Sequence, residues 1–441
     1  SPTREMIAPS DRLSLVNLGC KLNQAEGETV ADLMLLQGYT RVRAKDRADV
    51  SIINTCAVTS RAEFQSRQAV RQAVRHNPDG VVVATGCSAQ LRPRDLVSAG
   101  AHVVVGNSHK EEIPRLLATR GPRGVVVVDD PDQWSGFQRH VPGRFGWHTR
   151  AFLKVQEGCD SRCTFCTVRL ARGRSRSLPI EAAARGARRF AESGHRELVL
   201  TGINLGSYGA DLVPRTDLGE LLARLTRVPG LTRLRLGSLE PQLVRPDLLR
   251  AAGRIEQLCP HFHLPLQSGS SRILRRMGRH YHPEQYRRLV EAIRDIWPSA
   301  AVGADVMAGF PGEEEADFQA TVNLLEELPL AYLHVFPYSP RKGTGASKLG
   351  PVVPPFVRTN RARFLRILGA RKKSSFVDSQ IGSRAQVLLE RPNGENGWEG
   401  LTRNYVRVRV EGPQLARGQV VEVVLTAREG DRASGCLQSA R

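Results

Sequence analysis

Short β-rich runs alternate with helix-length segments twice along this chain, over residues 12–130 and again over 151–355. That alternation constrains the fold more than any other feature. Strand, helix and strand in repetition build a parallel sheet with helices on its faces. In the first stretch the apolar runs are 13–18, 50–53, 81–84, 102–105 and 125–128. Helical segments lie around 28–36, 63–74, 95–97 and 110–119. In the second, strands are expected at 152–156, 198–201, 233–236, 261–266, 302–307 and 332–336. Helices are expected at 180–192, 218–225, 246–255, 283–296 and 314–325. Six such units fall short of the eight of a full barrel. They predict an α/β chain with an N-terminal parallel sheet domain (12–130) and a central open (β/α)6 barrel (151–355). The missing wall of the barrel is left to a large substrate or a neighbouring domain.

The remaining segments read differently. Residues 131–150 carry Pro131, Trp134, Gly136, Pro142, Gly143 and Gly146, the composition of a linker or strap. Residues 356–379 form a basic helix with Arg358, Arg361, Arg363, Arg366, Arg371, Lys372 and Lys373, and Asp378 as its single acid. Such a run repels itself unless an anion lies nearby. Residues 380–428 alternate or run apolar between glycines 394, 397, 400, 412 and 418, which predicts a small antiparallel β-barrel.

With 441 residues the chain exceeds one hydrophobic core, and its formal net charge of +20 favours a polyanionic partner such as nucleic acid. A solvated Arg-rich surface is the blander reading of the same number. No apolar run is long enough to span a bilayer, and residues 1–11 lack the apolar core of a secretory signal. A cytoplasmic protein with no membrane partner is expected. Its eight cysteines then suggest metal or redox use of thiolates rather than disulfides.

Cys159, Cys163 and Cys166 form C-x3-C-x2-C just past the first expected barrel strand, where such folds place catalysis. A closed zinc site wants four ligands. Three cysteines on a four-iron cube leave one iron open for a small molecule. Phe165, inside the loop, can shield such a cluster from water. Cys20, Cys56 and Cys87 each follow a strand of the first sheet, and the carboxyl ends of parallel strands share one edge. These three are expected to converge, against the alternative of three unrelated buried thiols. Cys259, Cys436, His261 and His263 read as bystanders or barrel-wall residues.

C-x3-C-x2-C on a β/α barrel resembles the radical S-adenosylmethionine (SAM) superfamily. Further motifs resemble its methylthiotransferases. They are Gly19-Cys20-Lys21-Leu22-Asn23-Gln24, Asn54-Thr55-Cys56-Ala57-Val58-Thr59, Thr85-Gly86-Cys87-Ser88-Ala89-Gln90 and Gln156-Glu157-Gly158-Cys159. Ala171-Arg172-Gly173-Arg174-Ser175-Arg176-Ser177, Leu264-Pro265-Leu266-Gln267-Ser268-Gly269-Ser270 and Gly309-Phe310-Pro311-Gly312-Glu313 complete the set. The terminal barrel resembles a TRAM domain. The resemblance implies two 4Fe-4S clusters, a SAM-cleaving one on Cys159, Cys163 and Cys166 and an auxiliary one on Cys20, Cys56 and Cys87. One SAM would give the methyl group and a second the radical, so that CH3S replaces a C–H hydrogen. SAM contacts are expected from Gly202 and Asn204, from Ser238 and Glu240, and from Gln267, each at a strand end. Arg172 and Arg174 are expected to hold the SAM carboxylate or an RNA phosphate.

The first motif is most similar to the subgroup that modifies threonylcarbamoyladenosine beside the tRNA anticodon. A tRNA anticodon stem-loop, a flavodoxin- or ferredoxin-like electron donor and a sulfur source are the implied partners. Isopentenyladenosine in tRNA, or a ribosomal protein, is the alternative substrate. A non-enzymatic zinc-containing RNA-binding protein would share the charge and the cysteines.

Overall fold

The computed structural model describes residues 11–438, except 120–123, 135 and 139. The N-terminal domain is a six-stranded, wholly parallel sheet in the order Thr40–Val42, Arg12–Asn17, Val50–Thr55, Val81–Gly86, Val103–Val105, Val125–Val127. Five of these runs match the expected strands; the three-residue edge strand Thr40–Val42 is too short to carry a pattern. Strand Val50–Thr55 is buried along its whole length, as a central strand covered on both faces must be. The register sets Asn17 opposite Asn54 and Asn54 opposite Thr85. Three strands therefore end at one level, and Cys20, Cys56 and Cys87 follow within a few residues of that edge.

The central domain has six parallel strands in sequence order: Arg150–Lys154, Glu197–Thr201, Arg233–Leu236, His261–His263, Ala301–Ala308 and Tyr332–Pro337. Among the described residues the third and fourth are joined by the bridges Leu234–Leu258 and Ser238–His263 rather than by a continuous ladder. Among the described residues no strand pairing closes the first onto the last. Helix Lys21–Leu36 of the N-terminal domain lies along strand Arg150–Lys154 and also meets strand Glu197–Thr201. The outer helices bury leucine and alanine faces against the strands, forming the largest apolar core of the molecule. The stretch 131–150 is a strap rather than a loose linker. Phe145 is fully buried, and the Trp134 ring lies 4.2 Å from the Arg176 guanidinium.

Helix Pro355–Asp378 packs on the last barrel strand, with Gly369 against Leu333. Much of its charge is answered within the fold. Arg361 pairs with Glu313 and Glu315, Arg371 with Glu326 and Lys373 with Asp431. The anions that the basic run calls for thus come partly from the protein itself.

The terminal domain is a closed five-stranded barrel in the order Arg384–Pro392, Gly397–Thr402, Arg407–Glu411, Arg432–Leu437, Val420–Glu429. It departs from the antiparallel expectation at one pair, since Val408–Val410 runs parallel to Ala433–Gly435. Strand direction must alternate around an antiparallel ring, so an odd number of strands forces one parallel pair. Two of the five strands escape the apolar pattern because Gly397, Gly400 and Gly435 interrupt them. This barrel closes the floor of the central domain. Arg233 donates to the Gln386 and Leu401 carbonyls, and Arg235 to the Thr402 and Arg403 carbonyls. Among the described residues no helix is long and apolar enough to cross a membrane.

Candidate active site at the domain junction

Cys159, Cys163 and Cys166 occupy the loop between strand Gln156–Glu157 and helix Val168–Arg172. Gly158 admits the turn. Its φ is +69°, and a side chain there would strike the Arg174 carbonyl at 1.8 Å. The loop is pinned to the barrel rim by Cys159 N–H to the Gly173 carbonyl (3.1 Å) and Thr164 N–H to the Met277 carbonyl (2.9 Å). Two of the sulfurs receive N–H groups from the loop itself, Ser161 to Cys159 and Val168 to Cys166, each at 3.4 Å. Such donors steady the charge of a ligating thiolate. Without iron, burial pushes the Cys166 thiol up to about 12 and Cys163 upward as well. Loading the site therefore releases protons.

Phe165 packs edge-on against Phe310 (6.4 Å) beneath the Arg279 guanidinium (5.8 Å). Arg279 is itself paired with Glu240. Position at a strand end suggested Glu240; nothing in the local pattern marks Arg279, which reaches back from the turn after helix Ser271–Arg276.

Cys20, Cys56 and Cys87 stand at the sheet edge facing this loop. Gly19, at φ +93°, lets the Cys56 sulfur come within 2.7 Å of where its side chain would be. Ser66 holds the Cys56 backbone by accepting from its N–H (3.1 Å) and donating to its carbonyl (3.1 Å). Helix Cys87–Leu91 packs directly on helix Val168–Arg172, the helix that follows Cys166. The contact is specific: Arg172 Nε donates to Cys87 Sγ (3.3 Å) and Asn107 donates to the Ala171 carbonyl (2.8 Å). The two trios are thus carried by elements in direct contact.

Arg172 was expected to meet SAM or RNA, and the structure spends it elsewhere. It is fully buried, and its N–H groups reach Cys87, Glu26, Glu157 and Asn23. Lys110 and Lys154 complete a closed hub around Glu26 and Glu157. Burial pushes the Glu26 carboxyl up, but Arg172, Lys110 and Lys154 outweigh it and hold it well below the usual range. Arg174, by contrast, is exposed and has no side-chain partner among the described residues.

The other expected contacts line the rim. Asn204 Oδ1 is buried without a partner, while its N–H donates to Gln156 (2.8 Å). Gly202 lies where a side chain would strike Gln156 and Leu205 at 2.9 Å. Ser238 Oγ bonds His263 Nδ1 (2.8 Å), and Gln267 adopts a φ of +66° beside strand Ala301–Ala308. His263 is more than wall: its Nε2 lies 3.1 Å from Asp305, which also meets His334 at 3.3 Å. Cys259 is buried at the opposite, amino end of its strand, and Cys436 is exposed on the terminal barrel.

A single zinc, with Zn–S bonds of about 2.3 Å, needs its sulfurs within about 4 Å of one another. Among the described residues only His263, Asp305 and His334 bring three candidate ligand atoms within 4.8 Å. Both cysteine trios are spread more widely than one zinc ion requires. Free thiols on Gly-bearing turns, with N–H donors aimed at sulfur, suit iron–sulfur cubes instead.

A parallel half-open barrel with C-x3-C-x2-C at its catalytic rim defines a radical SAM protein. Residues 153–325 match the family model described as the Radical SAM superfamily, and 12–106 match the one described as Uncharacterized protein family UPF0004. The chain is 38% identical to the threonylcarbamoyladenosine tRNA methylthiotransferase MtaB of Aquifex aeolicus, over 94% of this chain and 100% of that protein. The MtaB of Bacillus subtilis is 36% identical, with 92% of each chain covered. Among solved structures, the radical SAM methyltransferase TsrM of Kitasatospora setae superposes with a TM-score of 0.55 at 15% identity, over 74% of this chain and 73% of its own. The chain belongs to the methylthiotransferase family of radical SAM enzymes and is similar to its MtaB-type members over nearly its full length.

Proposed function

We propose that the protein inserts CH3S at C2 of the N6-threonylcarbamoyladenosine that lies 3′ of the anticodon in tRNA, using one SAM as methyl donor and a second as radical source. The observation that carries this reading is the contact between the two thiol trios through helix Val168–Arg172 and Arg172. Cys159, Cys163 and Cys166 would hold the SAM-cleaving cluster, and Cys20, Cys56 and Cys87 an auxiliary one. When bound, the clusters supply reductive cleavage of SAM and a site for sulfur.

The chain's own residues supply the setting. Phe165, Phe310 and Tyr338 form an aromatic cluster at the loop that carries this trio. Arg279 stands beside Cys163 with Glu240 as its ion-pair partner, so the two act on the thiol in opposite senses. Asn204, Ser238 and Gln267 offer polar atoms at the strand ends where SAM would lie, and exposed Arg174 offers a free guanidinium for a carboxylate or phosphate. The net charge of +20 suits a phosphate backbone. The reaction's balance requires an electron donor, which we take to be flavodoxin- or ferredoxin-like, and a sulfur source.

Mass spectrometry of tRNA nucleosides from a strain lacking this protein tests the reading. The methylthio group should vanish from threonylcarbamoyladenosine alone. Its loss from isopentenyladenosine, or from a ribosomal protein, would replace the substrate while keeping the chemistry. Anaerobic protein should carry about eight irons, two cubes of four; zinc in their place would end the enzymatic reading.

A further inference from the structure

Lys21 follows Cys20 directly and opens the helix that lies along the first barrel strand. Its ammonium passes into the barrel and stops 5.8 Å from the centre of the Tyr405 ring, with no hydrogen-bond or ion-pair partner among the described residues. The Arg235 and Arg150 guanidinia approach the same ring at 5.1 and 6.0 Å. Two acids serve this group, and both are already engaged. Glu197 pairs with Arg235 (2.6 Å), Arg233 (3.4 Å) and Arg150 (4.0 Å), while Glu390 pairs with Arg150 (2.7 Å). Four cations thus face two carboxylates, and Arg150 Nη1 is buried without a hydrogen bond.

Beside them, a cavity of about 430 Å³ opens where the first and last barrel strands meet helix Pro355–Asp378 and the terminal barrel; Lys373, Arg391 and Arg407 face Glu390, Glu399 and Asp431 around it, and Arg150 and Tyr405 belong both to its wall and to the cation group around Lys21. Tyr405 reaches in from the terminal barrel on a backbone φ of +71°, a strained conformation for an aromatic residue that persists only when its surroundings enforce it. A surplus of buried positive charge next to a cavity calls for an anion.

We propose that Lys21, backed by Arg150 and Arg235, receives the carboxylate of the amino-acid substituent on the substrate adenosine and so selects a carboxylate-bearing nucleoside. The inference rests on the proposed function, which supplies an N6-linked threonine. Its place in the chain fits. Cys20 belongs to the candidate sulfur-handling trio, and Lys21 spans from that trio to the cation pocket, as the N6 substituent spans from the purine to its carboxylate. An apolar substituent of similar size would leave the ammonium desolvated and unpaired, which is how such sites reject a partner lacking the charge.

The test uses anaerobically reconstituted full-length protein and three synthetic anticodon stem-loops. They carry threonylcarbamoyladenosine, its threoninamide, or isopentenyladenosine. Binding constants and methylthio product are measured for each. The protein should favour the acid over the amide by about 10- to 100-fold, the range of a charge-assisted bond. Lys21→Gln should collapse that ratio toward one, and Lys21→Arg should restore most of it. Iron content and 5′-deoxyadenosine yield identify loaded variants. Should Lys21→Gln fail to load, Arg150→Gln and the acid-to-amide comparison on unaltered protein decide. Equal use of acid and amide, or a Lys21→Gln ratio as high as the unaltered one, overturns the pocket while the proposed function stands. Methylthiolation of the isopentenyl stem-loop alone overturns the proposed function and the pocket with it.

Discussion

The two cysteine trios are assembled by opposite routes. Cys159, Cys163 and Cys166 sit on one loop, whose own N–H groups bond two of the sulfurs. Cys20, Cys56 and Cys87 come from three strand ends, and the polar partners of Cys87 arrive from Asn107 and from Arg172 of the other domain. The first trio is set by its own turn and by the barrel rim that pins it. The second needs a sheet in register and a closed domain junction. The same alteration of the junction should therefore damage the second far more than the first.

The largest effect breaks the pair cleanly. Cys163→Ala should abolish SAM cleavage, measured as 5′-deoxyadenosine, because two thiolates do not hold an open cube in place. Retained cleavage would reject the assignment of that loop. Cys56→Ala should act the other way: cleavage of SAM continues without substrate modification, and methylthio product disappears. Normal product from Cys56→Ala would remove the scattered trio from the reaction.

Arg172→Met probes the junction between them. It leaves Glu26 and Glu157 buried with one cation fewer each and takes the N–H from Cys87. Breaking a buried ion network in this way costs about 3–5 kcal/mol. Thermal unfolding should shift down, and iron should fall toward one cluster while SAM cleavage persists. Equal loss from both trios would contradict the contrast between a local and an assembled site.

The sequence made all six thiols visible for reasons tied to that contrast. The loop trio announces itself by spacing. The scattered trio appears once each cysteine is seen to follow an apolar run, because parallel strands share an edge. Arg172, Lys21 and Arg279 were opaque, since their roles are set by partners far along the chain: Glu26 for Arg172, Tyr405 for Lys21, Glu240 for Arg279. An arginine in an Arg-rich motif looks available for an anion, and only the junction reveals that Arg172 is consumed while Arg174 is free. The basic helix misled in the same way, because Glu313, Glu315, Glu326 and Asp431 lie on other elements. Short strands interrupted by glycine left the terminal barrel two strands short.

Acid should separate the two sites by the smallest effect. Glu26 ties the helix behind Cys20 to Arg172, Lys110 and Lys154, and those cations hold its carboxyl well below the usual range despite burial. A carboxylate depressed in the folded state contributes stability that is fully present above its unfolded value, about 4.3. That contribution is lost as pH falls through the folded value. Between pH 7 and 5 this source should leave stability flat. Below about 4.3 the unfolded chain takes up a proton that the folded chain refuses, which costs up to about 1.4 kcal/mol per pH unit. Urea titrations of the cluster-free chain between pH 5 and 3 should show a slope smaller by that amount in Glu26→Gln. The variant is less stable throughout, because glutamine cannot neutralise the hub, yet its acid sensitivity falls. Equal slopes in the two proteins would mean that Glu26 shares its proton with the network, and that the junction behind the scattered trio is not held by this carboxylate's charge.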